Sequence, residues 1–318
     1  MATSTDGTLP DQTLAYHVLD VFAAEPFAGN PLAVVLDADA LGSAAMQTLA
    51  REFGLSETVY PLAVTDAERA RGVDYRLRIF TPDVELPFAG HPSVGAAWLM
   101  ARLGRVRPGR VVQVCGAGDL PLEVAADGGP VELTGGTPTC SDPVDPAAAL
   151  AAVGLSPEDL VDPSSRPARV CGTGLPYTIL DVRPEALARC VPDYAGLAAF
   201  AGPDSPASGI YVVAWDAGAR TARARMFAGD LGSSTEDPAT GSAALGYGVW
   251  LAASGLAGAT GDGTPANTAY TVHQGVEMGR PSLLSCRVEV ASGQAVRVRV
   301  AGEVVPVAQG RVSVPQQP

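Results

Sequence analysis

Apolar and polar positions along the chain predict strands and helices before any chemistry is considered. Residues 15–22 and 32–36, rich in Val and Leu, read as strands. Met46, Leu49, Ala50 and Phe53 recur at helical spacing and form one apolar face, with Gly54 as its stop. Val73, Tyr75, Leu77 and Ile79 alternate with Asp74, Arg76 and Arg78, the pattern of a half-buried strand. A helix can begin at Pro92, and Gly95 to Met100 continues it as an apolar run. Later, strands near 177–182, 210–215 and 221–227 precede a helix from Pro238 to Ala253. Residues 285–290, 295–300 and 303–307 alternate as further strands. Ala257 to Thr268, rich in Gly and Thr, reads as a loop, and Met1–Pro10 and Val314–Pro318 read as loose ends.

The pattern occurs twice. Arg76-Leu-Arg-Ile-Phe80 followed by His91-Pro-Ser-Val-Gly95-Ala matches Arg223-Ala-Arg-Met-Phe227 followed by Asp237-Pro-Ala-Thr-Gly241-Ser. The shared form is R-x-R-x-F, a gap, then [HD]-P-x-x-G. Gly29-Asn30-Pro31 matches Gly174-Leu175-Pro176, and Leu41 matches Leu187. These anchors agree on a repeat of about 146 residues. They predict two halves of one fold, 14–130 and 131–312.

Composition then removes whole classes of function. The chain has 318 residues, is 47% hydrophobic and 17% charged, and carries a net charge of −13. It is globular, and its charge repels nucleic acid and anionic membrane. All 21 basic residues are arginine. Lysine Schiff-base chemistry and a Walker phosphate loop are therefore excluded. Five cysteines without a C-x-x-C, and a polar Met1–Asp11 with no signal-peptide pattern, predict reduced thiols in the cytoplasm. Cys115 and Cys171 read as small buried side chains. His17, His91 and His273 show no metal-ligand spacing, so no metal is expected. No apolar run is long enough to span a membrane.

In both halves the repeat predicts a strand leading into Pro-x-x-Gly at a helix start. Helix N-termini present unpaired N–H groups and partial positive charge, and small residues let an anion approach them. Two such starts facing one another would hold a small carboxylate. A second reading is open: Gly95 and Gly241 serve only close helix packing. His91 in one half and Asp237 in the other offer an imidazole and a carboxylate for acid–base work, with a structural His and an N-cap Asp as the plain alternatives. Glu57, in Leu55-Ser-Glu-Thr58, has no Glu counterpart; the repeat would place Pro203 there. By local sequence it is an exposed loop Glu. Arg76/Arg78 and Arg223/Arg225 read as solvated faces, and Arg280 as part of a turn.

At Asp20-Val-Phe22, Phe27-Ala-Gly-Asn-Pro-Leu-Ala-Val-Val35, Leu55-Ser-Glu-Thr58, Arg78-Ile-Phe-Thr-Pro82, Leu86-Pro-Phe-Ala-Gly-His-Pro92, Glu236-Asp-Pro-Ala-Thr-Gly-Ser-Ala243 and Gln274-Gly275 through Met278-Gly-Arg-Pro-Ser282 the chain resembles the PhzF-like family. The resemblance spans residues 14–312. It implies an α+β fold of two pseudo-symmetric domains like diaminopimelate epimerase. Each domain is a barrel-like, mostly antiparallel sheet wrapped round a central helix, and the last segment can pack back on the first domain.

The resemblance also implies a cofactor-independent isomerase acting on a small amino- or hydroxy-substituted carboxylic acid. It assigns acid/base work to Glu57, with His91 and Asp237 beside it, and anion binding to Gly90, Gly241 and Ser242. It implies a homodimer. The paired cysteines of the racemase relatives are absent from these helix starts, which argues against two-thiol racemisation. Two alternatives stay open: a two-base racemase using Glu57 and Asp237, and a non-catalytic protein that binds a carboxylate ligand.

Overall fold

Two helices that are apolar on nearly every face set the architecture. In the computed structural model, which describes residues 12–200, 205–231, 234–258 and 266–315, both are sheathed in strands. The first half comprises β1 (Thr13–Val21), β2 (Asn30–Val35), α1 (Ser43–Phe53), β3 (Glu57–Leu62), α2 (Asp66–Ala70), β4 (Tyr75–Phe80) and β5 (Glu85–Leu86). It continues with α3 (Gly90–Arg102), β6 (Gly109–Cys115) and β7 (Gly118–Val124), and β8 (Val131–Thr134) leads on from it. Then follow β9 (Thr139–Cys140), α4 (Ala147–Ala152), β10 (Arg169–Gly172), β11 (Pro176–Asp181), α5 (Pro184–Leu187), α6 (Tyr194–Phe200), β12 (Ile210–Asp216), β13 (Thr221–Leu231) and β14 (Ser234–Asp237). The chain ends on α7 (Gly241–Ala253), β15 (Ala266–Gln274), β16 (Ser282–Ala291), β17 (Gln294–Gly302) and β18 (Val304–Ser313).

Hydrogen bonding is continuous from β18 through β1, β2, β3, β4, β6, β7 and β8 to β17. It continues through β16, β15, β13, β12, β11 and β10 to β9. Most pairs are antiparallel. The parallel exceptions match between the halves: β2/β3 with β11/β12, and β4/β6 with β13/β15. α3 packs on β1, β2, β3, β6, β7, β8 and β18, and α7 on β9, β10, β11, β16 and β17. A helix buried all round needs no polar face, and Val94–Met100 supplies none apart from Trp98, nor Ala243–Ala252 any apart from Tyr247 and Trp250. The Tyr247 and Trp250 rings stack at 5.6 Å and fill the second barrel. The fold is thus the α+β arrangement expected, with a central helix in each half.

Several expectations need correction. Gly95 lies inside α3, where a Cβ would come within 2.6 Å of Leu32 Cδ2 and 2.8 Å of Val21 Cγ2, so close packing is its role. α3 begins at Gly90, ahead of Pro92, whereas α7 begins at Gly241, after Pro238. The Pro-x-x-Gly motifs therefore do not superpose. Strand register supplies the true correspondence. Phe80 pairs with Glu85 and Ile79 with Leu86, as Phe227 pairs with Glu236 and Met226 with Asp237. The longer connection between Phe227 and Glu236 shifts everything after it. Asp237 stands where the first half has Leu86, and His91 stands where the second half has Ser242. Likewise Thr58 pairs with Phe80 as Ile210 pairs with Phe227, so Glu57 corresponds to Gly209. The earlier candidate, Pro203, lies outside the described residues.

The arginine pattern is a solvated face only in part: Arg76 and Arg223 are exposed, while Arg78 and Arg225 are drawn inward. Arg225 is 7% exposed, forks onto Glu236 at 2.8 and 2.6 Å, and donates to the Leu187 and Cys190 carbonyls. Arg78 forks onto Glu85 at 2.7 and 2.6 Å nearer the surface. Cys140 and Cys171, directly opposite in the β9/β10 register, form a disulfide rather than two thiols. Part of the predicted loop, residues 259–265, lies outside the described residues, and Ala266–Thr268 already belong to β15. Of the loose ends, 1–11 and 316–318 lie outside the described residues too.

Candidate active site

Glu57 opens β3, directly beside Leu32 of the parallel strand β2. It is not the exposed loop residue its local sequence suggests; its side chain is 14% exposed. Glu57 Oε2 lies 3.1 Å from His91 Nε2, which sits in the first turn of α3. The pair is close but not aligned as a hydrogen bond. Both atoms are buried and without a hydrogen-bond partner among the described residues, and so is Asn30 Oδ1. Buried polar atoms left open this way are rare and costly, and a cluster of them marks a place for a polar ligand.

The second half brings Asp237 to the same point. Asn30 Nδ2 donates to Asp237 Oδ1 at 2.8 Å and to the Ala239 carbonyl at 3.0 Å, and lies 3.2 Å from His91 Nδ1. Thr240 Oγ1 donates to Asp237 Oδ2 at 2.5 Å. Gln274 Nε2 donates to the Asp237 carbonyl at 2.7 Å and to Thr240 Oγ1 at 3.0 Å, while Tyr211 OH donates to Gln274 Oε1. Loss of water around Asp237 pushes its carboxyl up to about 6, and the Glu57 charge adds to this. The His91 ring and the hydrogen bonds from Thr240 and Asn30 pull the other way.

The two helix starts meet here. A Cβ on Gly90 would lie 3.6 Å from the Ser242 backbone N and 3.8 Å from Gly241 Cα. The unpaired N–H groups of α3 and α7 thus share one small volume, with the partial positive charge of both helices. Ser242 Oγ and Tyr177 OH are 2.8 Å apart at its edge. The structure therefore brings together Glu57, Gly90, His91, Asp237, Gly241 and Ser242. Among the described residues no group of three or more His, Cys, Asp or Glu is placed to hold a metal ion. No helix there is long and apolar enough to cross a membrane.

Sequence reasoning missed Asn30, Thr240, Gln274 and Tyr177. Asn30 had a signal: it is Leu175 in the other half, an unlike pair inside a matched Gly-x-Pro. Arg280 does close a turn through its backbone N–H to the Gly275 carbonyl. Its side chain does more. It crosses to the first half and binds Asp20 Oδ1 at 2.5 Å and the Ala28 and Gly29 carbonyls at 2.8 Å each.

Two sheathed helices whose N-termini meet at a polar junction define a fold of the epimerase–racemase type. A hydroxyproline epimerase from Agrobacterium vitis, crystallised with trans-4-hydroxy-L-proline, has this fold, with a TM-score of 0.63 over 96% of this chain and 94% of that one at 14% identity. Within that class the chain belongs to the phenazine biosynthesis-like (PhzC-PhzF) family, whose model matches residues 19–310. The uncharacterized isomerase mll1393 of Mesorhizobium japonicum is 36% identical over 95% of this chain and 99% of its own length. The trans-2,3-dihydro-3-hydroxyanthranilate isomerase of Pseudomonas aeruginosa is 34% identical over 93% of this chain and 98% of its own. The protein is thus a member of an isomerase family.

Proposed function

We propose that the protein moves a proton within a small amino- or hydroxy-substituted carboxylic acid, the chemical class to which trans-2,3-dihydro-3-hydroxyanthranilate belongs. Residues 14–130 and 131–312, the last strand returned to the first half, form the two sides of the cleft. The substrate carboxylate rests on the N–H groups at Gly90 and at Gly241–Ser242. Glu57 takes a proton from one carbon, the electron pair of that bond shifts the double bond, and Glu57 returns the proton at another carbon. Atoms and charge balance without a cofactor or co-substrate. His91 faces the Glu57 carboxylate with its ring Nε2, and Asp237 accepts a hydrogen bond from the substrate's amino or hydroxyl group. By family resemblance we place the enzyme in the cytoplasm as a homodimer.

The observation that carries this reading is the convergence of open polar atoms, Glu57 Oε2, His91 Nε2 and Asn30 Oδ1, at the meeting point of two helix N-termini. A two-base racemase is the second reading, favoured by the raised Asp237 carboxyl opposite Glu57. NMR in deuterated buffer separates them, using a panel of small cyclic and acyclic amino and hydroxy acids that includes trans-2,3-dihydro-3-hydroxyanthranilate. Double-bond migration with deuterium at the new C–H position supports the isomerase. Deuterium at a retained stereocentre with loss of optical activity supports the racemase. Binding without exchange across the panel supports a ligand-binding protein.

A further inference from the structure

Asn30 is the first residue of β2 and has no exposed surface. Its place is fixed from both halves. Gly29 before it has φ +64°, and a Cβ there would lie 2.4 Å from the Val21 carbonyl, so only glycine fits. Arg280 from the second half holds the Gly29 and Ala28 carbonyls. Pro31 after it locks its own φ and restricts the backbone of Asn30.

The amide can point only one way. Its nitrogen faces the Asp237 carboxylate and the Ala239 carbonyl, both pure acceptors. Turning the amide over would set Oδ1 against both. With the nitrogen so fixed, its two hydrogens serve three acceptor positions, and the third is His91 Nδ1 at 3.2 Å. An N–H facing Nδ1 requires a lone pair there. The neutral ring then carries its proton on Nε2, the atom that faces Glu57 Oε2.

The geometry points to Asn30 as a positioning residue that holds His91 in the Nε2–H tautomer, so that the ring presents a donor and not a lone pair to Glu57. One amide then coordinates the two halves: it orients the imidazole of the first and the carboxylate of the second. With a lone pair on Nε2 instead, ring and carboxylate would repel across 3.1 Å. The second half has no such device, since Leu175 occupies the matching position and Ser242 the position of His91. The role rests on the reading of Glu57 and His91 as the reacting pair, but its test does not depend on turnover.

The test is two-bond 1H–15N correlation NMR on protein labelled with 15N-histidine, at a pH where the rings are neutral. Only His17, His91 and His273 contribute, and a His91→Gln variant assigns the signal. Wild type should show His91 with a protonated Nε2 and an unprotonated Nδ1. Asn30→Leu should lose that preference and give averaged nitrogen shifts. Asn30→Asp, which offers only acceptors, should move the proton to Nδ1 or leave the ring fully protonated. An Nδ1–H tautomer in wild type overturns the assignment without any variant. An unchanged His91 pattern in both variants overturns it as well. Failure of the proposed reaction would look different: no deuterium exchange, with the Nε2–H tautomer intact.

Discussion

The two halves share a scaffold and divide the chemistry. Each threads an apolar helix through its barrel, forks an arginine onto a glutamate just before that helix, and stacks the same arginine over a phenylalanine at 5.0 or 4.9 Å. Gly90 and Gly241 coincide, but the side chains around them differ: Asn30 corresponds to Leu175, Glu57 to Gly209, Leu86 to Asp237, and His91 to Ser242. The first half carries the Glu57 carboxylate and the His91 imidazole; the second carries the Asp237 carboxylate and the Ser242 hydroxyl. Packing explains part of this. A Cβ on Gly209 would lie 2.7 Å from the Phe227 carbonyl, so the second half has no room for a side chain where the first has Glu57. A symmetric site with two matching bases cannot be built on this backbone without moving β12 against β13.

The largest expected effect lies on the side of the base. Glu57→Gln keeps the shape and removes the proton acceptor, so turnover should fall about 100- to 10,000-fold with ligand binding retained. Steady-state rates with isothermal titration check both.

Next comes the shared arginine fork, which sharpens the comparison because its two copies differ in burial. The side chains of Arg225 and Glu236 are 9% and 11% exposed, against 26% and 42% for Arg78 and Glu85. Arg225→Ala removes the fork on a buried carboxylate and the donor to the Leu187 and Cys190 carbonyls, and should cost about 3–5 kcal/mol. Arg78→Ala should cost about 1 kcal/mol or less. Urea unfolding of both variants tests the ratio.

Gly209→Ala probes directly the lack of room at the position that corresponds to Glu57. Crowding against Phe227 should destabilise the protein by about 1–3 kcal/mol, read from the same unfolding curves.

The smallest effect is a pH dependence from the second half. The Asp237 carboxyl, raised to about 6 from its unfolded 3.8, binds its proton more tightly in the folded protein. Stability therefore falls as pH rises from the unfolded value through about 6, and the cost is complete above it. Asp237→Asn should raise the melting temperature relative to wild type above that range, with the difference shrinking as pH falls. The same substitution should remove an acid limb near pH 6 from the kcat/KM profile.

Much of this was legible in the chain because the repeat doubles its signals. α1, with its buried Ala45, Met46, Leu49 and Ala50 and its left-handed Gly54 cap, follows from periodicity alone. The strand at β4 and the late strands follow from alternation. The segment from β6 to β10 showed no comparable pattern, since short strands such as β9 and helices such as α4 carry too few residues to establish a period. Site residues were reached through family resemblance more than through pattern. Glu57 has no local mark, because its burial comes from α3 and β2, both distant in sequence.

The repeat also misled. His91-Pro and Asp237-Pro match as letters, but the longer connection before Glu236 puts them at different places in the fold. Strand register, which depends on backbone pairing, shows that His91 corresponds to Ser242.

The central claim is that a single base, supplied by the first half alone, moves the proton. The most direct measurement compares deuterium exchange into one accepted substrate by wild type, Glu57→Gln and Asp237→Asn under identical conditions. The account predicts no exchange above background in Glu57→Gln and slowed but measurable exchange in Asp237→Asn. Equal loss in both variants would contradict it and make the two halves partners in a two-base reaction.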